Sequence, residues 1–146
     1  ALKFAGLDGK PVDLAQLRGK VVALYFWSST NKSSTARLEG VRQIQSDYRK
    51  RGLEVVTVSY DKAEDREKLA KFVKDNRVTL PVHFDGKANK NDYFAKLNVT
   101  GVPRLVVFDQ KGILQTNIQG SPVGRLTPNL ETNQLEGITK RLLGIK

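Results

Sequence analysis

The sequence has 146 residues, no cysteine, one histidine and a net charge of +10 from 25 basic and 15 acidic side chains. Without thiols, the chain as it stands excludes cysteine nucleophiles, disulfides, thiolate zinc sites and iron–sulfur clusters. His83 alone makes no multi-histidine metal site, so neither metal nor cofactor is expected. A domain of this length buries roughly 70% of its unfolded surface, so one domain over 1–146 needs no covalent staple. No apolar run of about 18 residues occurs, and no membrane-spanning helix is expected.

The chain opens on "FAGLDGKPVDL", where Asp8-Gly9 predicts the turn of an N-terminal hairpin. "KVVALYFW" at 20–27 is a continuous apolar run, the pattern of a strand buried on both faces. From Ser33 to Arg51, Leu38, Val41, Ile44 and Tyr48 recur at helical spacing, and Gly52 ends the helix. "LEVVTVSY" at 53–60 is a second buried strand. Asp61 then caps a helix whose buried stripe holds Leu69, Phe72 and Val73.

"TLPVHFD" at 79–85 reads as an edge strand, because Pro81 has no N–H to give a ladder. A short helix is expected over Asn91–Leu97, followed by "NVTGVP". "RLVVFD" and "ILQTNIQG" flank a turn at Gln110-Lys111-Gly112 and predict a hairpin, with Asp109 supporting the turn. After a polar loop over 120–133, Thr127 and Pro128 open a last helix with Leu135, Ile138 and Leu142 on its buried side. This order predicts an α/β fold, a mixed sheet with helices on both faces and an added N-terminal hairpin.

The positive charge favours acidic partners. The basic residues are dispersed, as in "YRKRG" and "KLAKFVKDNR", with no polybasic tail or nucleic-acid-binding motif, so nucleic acid is not the expected partner. No signal peptide is read at the start, and there is no initiator Met; a mature chain or an excised domain is expected.

Taken together, "GKPVDLAQLRGKVVALYFW", "GLEVVTVSYD", "LPVHFD" and "LNVTGVPRLVVFDQKG" resemble a thioredoxin-like domain. The resemblance is to the TlpA/ResA-type thiol–disulfide oxidoreductases of the cell envelope, in the wider AhpC/TSA-related superfamily. It implies a thioredoxin-like three-layer sandwich and, by family alone, a periplasmic or envelope location. In that family a Phe-Trp strand end precedes a W-C-x-x-C turn at a helix start. Anchored on Trp27, the second aromatic maps to Thr30 and the two cysteines to Asn31 and Ser34, with Lys32 and Ser33 between them. The family's cis-proline loop, which faces the cysteine pair, maps to Val102 and Pro103, with Arg104 beyond it.

Thiol–disulfide exchange needs a thiolate to attack and a second thiol to resolve the mixed disulfide. Asn31 cannot ionise to a nucleophile, and Ser34 has no evident base, so no catalytic residue is assigned. What remains is a candidate peptide- or anion-binding surface of Trp27, Lys32, Ser33, Thr35, Val102, Pro103 and Arg104. For the anion, a helix N-terminus with two cations supplies the attraction. Ser33 or Thr35 as a plain helix cap, and Trp27 as packing, are the structural alternatives.

The sequence therefore reads as a redox-inactive thioredoxin-like domain that binds a protein or extended peptide, with an acidic partner favoured by charge. Two alternatives stand beside it. One is an enzyme of the same type whose two cysteines were replaced. The other is a basic module for nucleic acid or anionic glycans, whose binding would weaken steeply with salt.

Overall fold

A computed structural model describes residues 3–7, 11–88, 102–115 and 132–145. The predicted helix over 91–97 and the loop and helix start over 120–131 lie outside these residues.

Two long strands form the centre. β3 (Val21–Trp27) and β4 (Leu53–Ser59) pair in parallel, with Val21 opposite Leu53 and Trp27 opposite Ser59. β5 (Val82–His83) extends the parallel part beyond β4, whereas β6 (Arg104–Phe108) runs antiparallel on the other flank of β3 and is followed by β7 (Leu114–Gln115). The sheet order is β5-β4-β3-β6-β7. The N-terminal β1 (Lys3–Ala5) and β2 (Pro11–Asp13) make the separate antiparallel hairpin. Leu7 donates its amide to the Val82 carbonyl at 2.8 Å, which satisfies part of the β5 edge.

The unbroken apolar run of β3 is explained by two cores. Its odd members, Val21, Ala23, Tyr25 and Trp27, face α2 (Leu38–Tyr48), α3 (Arg66–Asp75) and α4 (Thr132–Leu143) through Val41, Ile44, Leu69, Leu135 and Ile138. Its even members, Val22, Leu24 and Phe26, lie on the opposite face with Val56, Val58 and Val106. Alternation in a strand sends successive side chains to opposite faces, so an apolar residue is needed at every position.

A buried amide fixes α2 on the sheet. Gln45 accepts from the Val55 amide and donates to the Leu53 carbonyl at 3.3 Å, tying the helix to the start of β4. After α2 and a 3-10 turn at Arg49–Arg51, Gly52 takes φ of 114°, a left-handed conformation that closes the helix. The β6–β7 turn is held by Asp109, whose Oδ1 accepts from the Lys111 and Ile113 amides at 2.9 Å each, as the sequence predicts.

Two sequence expectations are corrected. The helix expected to run unbroken from Ser33 is divided into α1 (Lys32–Ala36) and α2, with the break at Arg37. The break coincides with Tyr25, whose hydroxyl donates to the Ser34 carbonyl at 2.5 Å. That carbonyl is the acceptor a continuous helix would offer to the Leu38 amide. Asp61, expected as the cap of α3, makes no cap bond there; a 3-10 turn over Ala63–Asp65 intervenes.

Candidate functional site

The loop Ser28–Asn31 carries the chain from the end of β3 into α1, and its shape rests on three side chains. Asn31 has extended backbone angles (φ −105°, ψ 110°), and its Oδ1 accepts from the Ser34 amide at 2.8 Å. It is therefore the N-cap of α1, in place of Ser33 or Thr35. Ser34 is fully buried, and its hydroxyl sits among the Asn31 carbonyl at 2.9 Å, the Ser28 carbonyl at 3.1 Å and the Ser28 amide, which donates to it at 3.1 Å. The third is Asp61, 3% exposed at the end of β4. Its carboxylate accepts from the hydroxyls of Ser28 (3.1 Å), Ser29 (2.8 Å) and Ser59 (2.6 Å) and from the Ser29 amide at 3.2 Å.

Electrostatics beneath the loop follow from burial. Desolvation pushes the Tyr25 phenol well above its ordinary range, with Arg37 opposing in part. The neutral phenol is the form that donates to the Ser34 carbonyl.

The antiparallel register places Arg104 opposite Phe26. Residues 102–103 consequently lie alongside the chain as it leaves β3, next to the Ser28–Asn31 loop. The Val102–Pro103 peptide bond is cis. Val102 is half-buried against the Phe26 side of the core, and Pro103 and Arg104 are also half-buried. Burial holds the Arg104 guanidinium below its usual value, and arginine nonetheless remains cationic at neutral pH. Lys32 and Ser33 project exposed side chains from the first turn of α1.

Other expected site residues take different places. Trp27 is fully buried, its ring 5.6 Å from that of Phe72, so it supports the site from beneath and presents no surface to a ligand. Thr35 donates its hydroxyl to the Lys32 carbonyl at 3.2 Å, and its amide to the Asn31 carbonyl at 3.0 Å. With the Ser34 amide on Asn31 as well, these donors of the expected anion site are occupied within the loop. Lys32, Ser33 and the 102–104 segment form the part of the predicted surface that stays accessible. His83 is buried in β5 with Nε2 3.9 Å from Asp85, and no cluster of potential metal ligands occurs among the described residues. No helix among them is long and apolar enough to cross a membrane.

Sequence reasoning missed Asp61 as the residue that organises the loop. The available signal was an acid directly after a strand, opposite a serine-rich turn. An Asp before a helical stretch has the same appearance as a cap, and only the strand pairing brings residue 61 to residues 28 and 29.

A thioredoxin-like family profile matches residues 19–114, which span the central strands, the loop and the 102–104 segment. The chain is 31% identical over 110 residues to the thioredoxin-like protein YneN of Bacillus subtilis, covering 75% of this chain and 62% of that protein. It is 26% identical to the thiol-disulfide oxidoreductase ResA of Bacillus cereus, covering 93% of this chain and 71% of ResA. A crystal structure of a thiol:disulfide interchange protein from Chlorobium tepidum superposes with a TM-score of 0.75 at 21% identity, covering 98% of this chain and 93% of that one. The chain belongs to the thioredoxin-like family, as a domain of the TlpA/ResA type. It spans less than two thirds of the length of YneN.

Proposed function

We propose that residues 1–146 form one thioredoxin-like domain that has given up redox chemistry and binds a protein or extended peptide at the surface of Lys32, Ser33 and Val102–Arg104. One observation carries this reading. Asn31 and Ser34, the positions onto which the sequence resemblance maps the family's thiols, both have side chains engaged in fixing the loop. The loop keeps its shape without a nucleophile, and the accessible neighbours carry two cations. An acidic partner segment fits that charge. The family resemblance supports a periplasmic or cell-envelope location.

The second reading is a thiol–disulfide oxidoreductase in which cysteines at 31 and 34 were replaced. It is favoured by the name of the relative ResA and by Ser34, a residue close to cysteine in shape at a fully buried position. Genomic codons for Cys at both positions would establish it.

The binding reading is tested by affinity capture from envelope extract with the wild type and with the Lys32→Glu/Arg104→Glu variant. A protein retained by the wild type and lost by the variant is the expected result. Identical captures with both would move the function away from this surface.

A further inference from the structure

A cavity of about 140 Å³ opens between the start of α2 and the C-terminal end of α3. Its apolar wall includes Leu38, Phe72 and Leu80, and Glu39, Arg42 and Arg77 stand around it. A void of this size takes about one benzene-sized group; an engineered apolar cavity of about 150 Å³ holds benzene.

Two features state the chemistry of an occupant. The first is charge. Arg42 is bound by Glu39 through bonds of 3.0 and 2.5 Å, so these two charges balance. Arg77 is exposed and makes no ion pair with a described residue, which leaves one positive charge at the cavity.

The second feature is backbone conformation. Arg77 has φ of 50° and closes α3: its amide donates to the Lys74 carbonyl at 3.2 Å, and the Val78 amide donates to the Val73 carbonyl at 2.9 Å. This is the pair of bonds of a Schellman closure, in which glycine normally takes the left-handed position. A side chain there adds strain between Cβ and the following carbonyl. Closing the helix gives no reason for arginine at 77; a cationic side chain at the cavity rim does.

We infer that this cavity binds a ring-sized apolar group bearing a carboxylate, the ring seated on Phe72 and Leu80 and the carboxylate on Arg77. Such a group is either a free small acid or the C-terminal residue of a peptide, and the chemistry is shared. The site is separate from the Lys32 and 102–104 surface, and its test does not depend on that surface binding anything.

Trp27 supplies the reporter, because it is the only tryptophan and its ring packs on Phe72, which lines the cavity. The 146-residue chain is titrated with 3-phenylpropanoate, with 3-phenylpropanamide, and with a short peptide ending in phenylalanine as free acid or amide. Trp27 fluorescence and the amide resonances of Phe72 and Arg77–Leu80 are followed. At least one acid should saturate and shift those resonances, with its amide about tenfold weaker or more, as expected for loss of a charge-assisted bond. Saturation by 3-phenylpropanoate identifies a small-acid site; saturation by the peptide acid alone identifies a chain-terminus site. Arg77→Gly should bring acid binding down to the level of the amide without lowering Tm. The proposal is overturned if neither acid shifts these resonances, if acid and amide bind alike, or if Arg77→Gly binds as the wild type does.

Discussion

Asn31 and Ser34 are joined by two hydrogen bonds, one from the Ser34 amide to Asn31 Oδ1 at 2.8 Å and one from the Ser34 hydroxyl to the Asn31 carbonyl at 2.9 Å. The sequence resemblance maps the two cysteines of thiol–disulfide oxidoreductases onto these positions. Here the same spacing, three residues apart at the start of a helix, serves capping: it is the separation at which a side-chain acceptor meets a first-turn amide.

Replacing Asn31 by Ala removes that acceptor and should cost about 1 kcal/mol of stability, with Asn31→Asp retaining most of it. Urea unfolding of the three proteins checks this. An Ala variant as stable as the wild type would mean that the cap bond contributes nothing.

Asp61 predicts a larger effect. Its carboxylate is buried and collects donors from Ser28, Ser29 and Ser59. Asp61→Ala strands those groups and should cost about 3 kcal/mol, in the range for hydrogen bonds to a charged partner. Hydrogen exchange should locate the change at the Ser29 amide, which loses its acceptor. Unfolding in urea together with exchange protection at 28–30 measures both.

Much of the fold is legible in the sequence because apolar pattern and turn chemistry act locally. The run at 20–27 and the run at 53–60 are strands on pattern alone, Gly52 stops the helix where a left-handed residue is needed, and Asp109 and Gly112 mark the hairpin. Pro81 correctly places β5 at the edge of the sheet. What is not legible depends on pairing across the sheet. Asp61 meets Ser28 because β3 and β4 are aligned in parallel. The break at Arg37 coincides with a bond from Tyr25, nine residues before Ser34. Trp27 reads from the sequence chiefly as core, with an anchor as the alternative; alternation along β3 and the Phe72 ring decide for core.

Tyr25 gives the chain a predicted alkaline limit. Its phenol ionises less readily when folded than when unfolded, chiefly because of burial. The unfolded chain therefore releases the proton first. The stabilisation is complete below the ordinary tyrosine pKa of about 10 and is lost as pH rises from there toward the folded value. Tyr48 is shifted in the same direction, first through its bond to Glu136, so it contributes to the same window. Tyr25→Phe should show a shallower loss of stability above pH 10 than the wild type, as read by urea midpoints across an alkaline series. Identical slopes would contradict this assignment.

The proposed function places polypeptide binding at the surface of Lys32, Ser33 and Val102–Arg104. The most direct test is an amide chemical-shift map of the 146-residue chain with a captured partner segment, or with an extended acidic peptide. Binding there should concentrate shifts at Lys32, Ser33 and Val102–Arg104 and lose them in the Lys32→Glu/Arg104→Glu variant. Shifts elsewhere, or shifts unchanged in the variant, would contradict it.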